Sequence, residues 1–185
     1  LMDRLDLISN KIDNIKSECE KYSQNVGLIA VSKYSNIIDI ELAYQAGQRD
    51  FGENRIDDLY QKAGQLTHLT DLNWHFIGEL QSKKIKKLLT VNNLSSIHSI
   101  DRASQLDALL KWESEFNQSR LNLFLQVNTS KEIEKGGVND YESLKELAIH
   151  KIFDRDRFQF KGLMTMGPIR QLDIEAGAKE AFSSL

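Results

Sequence analysis

Six short apolar runs alternate with helical segments along the chain, and this alternation constrains the fold more than any single motif does. The first run, LIAVSK at 28–33, is continuous and apolar, as expected for a strand that is buried on both faces. The other runs are DFGEN at 50–54, WHFIG at 74–78, SIHSI at 96–100, LNLFLQVN at 121–128 and FKGLMTM at 160–166. Because a helical pattern follows each run, the sequence predicts a parallel sheet built from right-handed crossovers.

The helical segments are recognised by apolar residues spaced three and four positions apart. The first segment precedes the first strand and carries on one face Leu5, Ile8, Ile12, Ile15, Cys19 and Tyr22. After the first strand, Asn36 and Asp39 have the spacing of an N-cap residue and its third-position acid, and Gly47 is placed to end that helix. The sequence therefore predicts one helix followed by six strand–helix units in a single α/β domain over 1–185.

Two architectures share this alternation: an open doubly wound sheet and a closed eight-stranded (β/α) barrel. The G-x-G-x-x-G fingerprint of a dinucleotide-binding doubly wound sheet follows none of the predicted strands. A barrel needs eight strands and typically about 200 residues or more, whereas this chain of 185 residues has six units. Either the sheet is open, or the chain lacks the last two units of a barrel.

The charge balance and the lack of long apolar runs exclude several classes of protein. The chain has 24 basic and 27 acidic side chains, and a net charge of -3 is atypical of a general nucleic-acid binder. No run approaches the ~18 consecutive apolar residues of a membrane helix, and no secretory signal is recognisable. The single cysteine, Cys19, fits a reducing compartment. We therefore expect a cytoplasmic protein without membrane or nucleic-acid partners.

In both architectures the functional residues lie at the carboxyl ends of the strands. The polar residues there and one methionine are therefore the candidates for a site. They are Lys33, Asn54, His75, Ser99, Asn128 and Met164. Lys33 ends a buried apolar run, where desolvation lowers the pKa of an ammonium group and frees a neutral amine to attack an aldehyde. The alternative is a lysine whose ammonium group reaches solvent from the strand end.

Two further features have both a structural and a functional interpretation. His75 stands between Trp74 and Phe76 and is either a hydrogen-bonded core histidine or a base. The basic run SKKIKK at 82–87 is either the solvated face of a helix or a binding surface for phosphates or an acidic partner. The histidines lie on separate segments without the spacing of a metal site, so no metal is expected.

Six sequence blocks between Leu28 and Pro168 together resemble the pyridoxal phosphate homeostasis proteins, the YggS/PROSC type. The blocks are LIAVSK, GQRDFGENR, WHFIGELQSKKIK, IHSID, LQVNTSKEIEKGGV and GLMTMGP. This resemblance implies the (β/α)8 TIM barrel of the alanine racemase type, the fold type III class of pyridoxal phosphate proteins. It also implies that Lys33 carries pyridoxal 5'-phosphate through a Schiff base. The remaining residues that it places at the pocket mouth are Asn54, His75, Ser99, Asn128 and Met164.

The sequence departs from the family pattern at Glu79 and Lys83, where the family commonly has other polar residues, but not in the lysine motif. Family members continue into two further blocks that supply the seventh and eighth strands and hold the cofactor phosphate. This sequence stops at Leu185, before the first of them. We therefore expect a single barrel domain with about six units present, the C-terminal strands missing, and the cofactor bound weakly or absent.

The resemblance implies a non-catalytic protein that buffers or delivers pyridoxal phosphate and so affects amino-acid and keto-acid metabolism. Its partners would be the cofactor and pyridoxal-phosphate-dependent apoenzymes, and it would act as a monomer. An amino-acid racemase on the same barrel is the alternative, but racemisation needs a proton donor and acceptor on both faces of the substrate. Lys33 serves one face, and no tyrosine stands at an evident strand end opposite it. A binding module that uses the basic 82–87 segment is a third hypothesis.

Overall fold

The computed structural model describes residues 3–23, 25–130, 132, 135–168 and 173–185, and its strands form one parallel sheet. The strands are β1 (Ala30–Val31), β2 (Asp50–Glu53), β3 (Asn73–Phe76), β4 (Leu94–Ile100), β5 (Leu121–Gln126) and β6 (Phe158–Met164). The α-helices are α1 (Arg4–Glu20), α2 (Ile37–Gln45), α3 (Ile56–Gln65), α4 (Ile85–Leu89), α5 (Ala103–Lys111), α6 (Tyr141–Ala148) and α7 (Ile174–Ser183). Strands and helices alternate as the sequence predicts.

The order of the strands decides between the two predicted architectures. Each strand lies beside the one that precedes it in the chain, in the order β1-β2-β3-β4-β5-β6. A doubly wound sheet reverses its order at a switch point, whereas a barrel adds its strands in one direction throughout. The described sheet therefore has the topology of a barrel, with β1 and β6 at its two edges. The predicted fold class is confirmed.

Local signals in the sequence place the ends of α2 correctly. The backbone N–H of Asp39 donates to Asn36 Oδ1 at 2.9 Å, which is the N-cap that the spacing predicts. Beyond the helix, Gly47 has a φ of 88°, a left-handed conformation that glycine adopts without a steric penalty. The helix therefore begins and ends where short-range chemistry requires it to.

The hydrophobic core lies between the helices and one face of the sheet. The strands contribute Phe51, Trp74, Phe76, Ile97, Leu123 and Leu125, each at most 2% exposed. The helices contribute Leu59, Leu88, Leu89, Leu106 and Leu109. Burying a side chain of this size stabilises a fold by about 1.5–3 kcal/mol. The core also fixes which way each strand faces, because a slip by one residue would turn the apolar set away from the helices.

The opposite side of the sheet carries mostly polar and small residues, and we call it the inner face. The strand register aligns on this face Val31, Gly52, His75, Ser96 and Asn122. These residues alternate with the core residues along each strand, as side chains in a strand must. In a barrel this is the side that surrounds the axis.

The first strand differs from its prediction. The run at 28–33 is predicted to be a strand buried on both faces, but only Ala30 and Val31 pair with β2, and Val31 is 53% exposed. In the described residues β1 is an edge strand, so one side of it has no neighbouring strand. The apolar run therefore locates the strand correctly but overstates its burial.

Candidate functional site

Lys33 lies just beyond β1, at the carboxyl-terminal edge of the sheet. Its side chain is exposed, and its Nζ lies 5.2 Å from the centroid of the Tyr34 ring. In the described sheet β1 is an edge strand with an open side, so the desolvation of Lys33 that one of the two interpretations assumes is not found. The ammonium group reaches solvent, as the alternative interpretation describes. Its amine is therefore accessible to a ligand at the open end of the sheet.

Asn54 follows β2 and lines a cleft of about 450 Å³ together with Arg55, Glu79 and Lys84. Beside the cleft, the segments that follow β2 and β3 approach each other closely. A Cβ on Gly78 would lie 1.9 Å from the carbonyl oxygen of Asn54, so glycine is required at this contact. Lys33 is not among the lining residues, so Asn54 and Lys33 occupy neighbouring parts of the edge rather than one enclosed pocket.

His75 lies on the inner face and is held by neighbours on both sides. Its Nε2 is 2.9 Å from Asp50 Oδ1, and its Nδ1 is 3.1 Å from His98 Nε2. The hydroxyl of Ser96 lies within hydrogen-bond distance of both imidazole rings. The side chain of His75 is only 12% exposed. This geometry favours the interpretation of His75 as a hydrogen-bonded structural residue, and its contact with a cofactor stays a prediction.

His98 is a member of this cluster that the sequence does not single out. Its ring stacks on Phe124 with the centroids 4.4 Å apart and the planes 8° from parallel. Burial, and secondarily the nearby His75, lower the pKa of His98 from 6.5 to about 4. His98 is therefore neutral at pH 7 and acts as a hydrogen-bond partner of Ser96. The only sequence signal for it is its position two residues after Ser96 on the same strand.

Ser99 is buried, and within the described part of the chain its Oγ has no hydrogen-bond partner. A shift of register between Ile97 and Ile100 surrounds it, so the regular pairing of β4 with β5 is interrupted there. An unpaired buried hydroxyl is unfavourable unless a partner arrives. Ser99 is therefore the predicted site residue with the clearest unused capacity to bind a ligand.

Asn128 and Met164 occupy different environments. The amide nitrogen of Asn128 donates to the carbonyl oxygen of Glu132 at 3.0 Å and to Asn139 Oδ1 at 3.1 Å, so it anchors the loop after β5. Met164 pairs with Gln126 in the register of β5 and β6 and is partly buried. Asn128 thus stabilises the loop after β5, and Met164 lies at the end of the last described strand. Their roles at a cofactor stay predictions.

The basic run at 82–87 is largely neutralised by the protein's own carboxylates. Lys84 and Lys87 both donate to Asp57, at 2.7 and 2.6 Å. These two hydrogen bonds lower the pKa of Asp57 to about 2. Lys86 lies 3.3 Å from Glu115. These ion pairs favour the interpretation of this run as the solvated face of a helix.

Neither a metal-binding cluster nor a membrane-spanning helix is found among the residues that the structure describes. These residues contain no group of three or more His, Cys, Asp or Glu side chains arranged to hold a metal ion. None of their helices combines the length and the apolar character that crossing a bilayer requires.

The sequential parallel sheet has the fold of the alanine-racemase-like (β/α) barrels. A solved alanine racemase from E. faecalis shares this fold with a TM-score of 0.65 over 96% of the chain, at 16% identity. PipY of Synechococcus elongatus, solved without pyridoxal phosphate, is 31% identical with a TM-score of 0.78, over 96% of this chain and 81% of PipY. A second PipY structure, with pyridoxal phosphate bound, has a TM-score of 0.74.

Curated relatives identify the family. The Schizosaccharomyces pombe protein named Pyridoxal phosphate homeostasis protein is 40% identical over 164 residues, which are 88% of this chain and 67% of the relative. The Homo sapiens protein of the same name is 33% identical over 162 residues, 85% of this chain and 58% of the relative. No protein-family model matches the chain. The chain belongs to the pyridoxal phosphate homeostasis protein family, as the sequence blocks predict, and it spans about three fifths to two thirds of these relatives' length.

The residues present fit the chemistry of pyridoxal phosphate at two points. The cofactor has an aldehyde, and Lys33 supplies an accessible primary amine at the carboxyl-terminal edge. The cofactor also has several polar oxygens, and Ser99 supplies a buried hydroxyl that lacks a partner among the described residues. The described side chains are therefore compatible with this group.

Proposed function

We propose that this protein binds pyridoxal 5'-phosphate covalently through Lys33 and buffers or delivers it without catalysing a reaction. The observation that carries the proposal is the exposed amine of Lys33 at the functional end of a barrel-type sheet. The family supports it, because the related PipY has been solved with pyridoxal phosphate bound.

When bound, pyridoxal phosphate would supply an aldehyde, the group with which a primary amine can condense. Lys33 provides the amine, which must be neutral to act as a nucleophile. Ser99 would donate a hydrogen bond to the cofactor from its hydroxyl, which has no partner among the described residues, and Asn54 and Met164 would bound the opening. Asn128 orients the loop beside it, and His75 supports the inner face through Asp50 and His98.

The surroundings of Lys33 support a binder over an amino-acid racemase. Racemisation needs proton-transferring groups on both faces of the substrate. Tyr34, whose ring lies beside the Lys33 ammonium, belongs to the same strand end and so does not face Lys33 from across the sheet. We propose that the protein acts as a monomer in the cytoplasm and passes the cofactor to pyridoxal-phosphate-dependent apoenzymes. Its single cysteine supports a reducing compartment.

An absorbance titration with pyridoxal phosphate tests this function. We expect the wild type to develop a visible band that Lys33→Ala lacks, because alanine has no amine to form the covalent link. Lys83→Ala is the matched control, since Lys83 is also exposed but lies on the basic run. A band that survives in Lys33→Ala would refute the assignment of Lys33. Racemisation of D- or L-alanine by the loaded wild type would contradict the non-catalytic part of the proposal.

A further inference from the structure

A buried ion pair anchors the backbone next to Lys33, on the side of the sheet opposite the inner face. Glu53 ends β2, and Lys62 lies on α3. Lys62 Nζ donates to Glu53 Oε1 at 2.7 Å and to the backbone carbonyl oxygen of Ser32 at 2.7 Å. The hydroxyl of Ser32 donates to the same carboxylate oxygen, Glu53 Oε1, at 2.6 Å. The pair therefore holds the residue that directly precedes Lys33 by two separate bonds.

Because the ion pair between Glu53 and Lys62 is buried, a contribution to the stability of the fold does not explain its presence. The side chain of Glu53 is 0% exposed and that of Lys62 is 14% exposed. Removing two charges from water costs much of what their attraction returns, and apolar residues of similar size often stabilise a protein as well. The second carboxylate oxygen, Glu53 Oε2, has no partner within the described residues. This ion pair costs desolvation energy and bonds to the backbone at Ser32. It is therefore suited to fixing the position of Ser32.

The consequence for Lys33 follows from the hydrogen bonds of Ser32. The backbone N–H of Ser32 donates to the Gly52 carbonyl oxygen at 2.9 Å, and the Ser32 carbonyl oxygen also accepts from the Ser35 N–H at 2.8 Å. Together with the bonds from Glu53 and Lys62, every polar group of Ser32 has a partner. Ser32 is thus fixed, whereas the side chain of Lys33 is exposed and free to meet a ligand.

We propose that Glu53 and Lys62 are positioning residues, which set how fast the amine of Lys33 captures an aldehyde. This inference rests on the proposed function and adds residues that do not touch the cofactor. In the step concerned, Lys33 Nζ bonds to the aldehyde carbon, and the carbon–oxygen double bond is replaced by a carbon–nitrogen double bond. The oxygen leaves as one water molecule with both hydrogens of the neutral amine. Holding the amine in a productive position raises the rate of such a step.

The test is the double variant Glu53→Gln with Lys62→Met, which removes both charges and so leaves no buried ion unpaired. Stopped-flow absorbance gives the limiting rate of capture of pyridoxal phosphate and the half-saturating concentration separately. We expect the limiting rate to fall at least tenfold, with the half-saturating concentration changed less than threefold. Lys86→Met is the control, because it removes an exposed lysine that pairs with Glu115. Its limiting rate should equal that of the wild type.

Three further measurements keep the test decisive. Hydrogen exchange of the cofactor-free double variant should be faster over 30–36 and unchanged over β4 and β5. Ser32→Ala removes only the hydroxyl, with its bonds to Glu53 Oε1 and to the Gly52 carbonyl oxygen, and its limiting rate should fall about threefold even if the double variant does not fold. Lys62→Arg keeps the charge and the donors, so it should retain most of the wild-type rate.

The outcomes separate the two proposals. A wild-type limiting rate in the folded double variant, or in Ser32→Ala, would overturn the positioning role while leaving the binding function of Lys33 intact. A wild type that forms no band dependent on Lys33 would overturn the proposed function, and the positioning role with it. Slower capture in both variants, with a normal rate in Lys86→Met, is the result that the structure supports.

Discussion

The half-buried histidine His98 makes the stability of this protein depend on pH. Its pKa is lowered from 6.5 to about 4 by burial and by His75. The folded state therefore binds a proton at His98 less readily than the unfolded state does. As pH falls from about 6.5 to about 4, His98 becomes protonated in the unfolded state but stays neutral in the folded state. The free energy of unfolding therefore decreases.

The size of this effect follows from the difference in pKa. At about 1.4 kcal/mol for each pKa unit, the full difference is worth about 3 kcal/mol, and about 2 kcal/mol of it is lost between pH 7 and pH 5. The variant His98→Phe removes the titrating group but retains a ring that can stack on Phe124. Ser96 keeps its other partner, His75, in this variant.

Urea unfolding at pH 7 and pH 5 measures the difference. The wild type should lose about 2 kcal/mol more than His98→Phe between the two pH values, because the carboxylates titrate alike in both proteins. His68→Gln is the control for the loss of a histidine at the surface, where His68 is 58% exposed and lies 3.3 Å from Glu41. Equal losses in the wild type and His98→Phe would refute the reasoning.

Four further substitutions test the site geometry through urea unfolding and cofactor titration. Gly78→Ala places a Cβ 1.9 Å from the Asn54 carbonyl oxygen and should destabilise the fold by about 3 kcal/mol, whereas Gly64→Ala, with open space around it, should stabilise it by about 0.5 kcal/mol. Ser99→Ala should stabilise the cofactor-free protein by about 1 kcal/mol and weaken cofactor binding, because the unpaired hydroxyl is removed; a loss of stability would contradict this. Asn128→Ala should destabilise the fold by about 1–3 kcal/mol through the lost loop bonds, and an unchanged midpoint would show that these bonds contribute nothing.

Features that depend on neighbours in the sequence are predicted well. The cap of α2 needs only Asn36 and Asp39, three residues apart, and the structure has the expected hydrogen bond. The alternation of strands and helices also arises from local periodicity, so an α/β protein with a parallel sheet follows from it. The order of the strands could be determined only from the structure, because periodicity does not show whether a sheet reverses its strand order.

Features that depend on contacts across the sheet could not be predicted. The exposure of Lys33 follows from the edge position of β1. This position could not be predicted, because the same apolar run is expected in an edge strand and in a central strand. His98 meets His75 only because β3 and β4 pair in one particular register. The contact between Glu53 and Lys62 likewise requires α3 to pack against the sheet.

The central claim is that Lys33 is the residue that holds the cofactor. The most direct test is to incubate the purified protein with pyridoxal phosphate, reduce the covalent link with borohydride, and map the modified peptides by mass spectrometry. We predict that the peptide containing Lys33 carries the added mass at a stoichiometry near one, and that the peptides of the 82–87 run remain unmodified. A Lys33 peptide that stays unmodified while another lysine takes up the label would contradict the account.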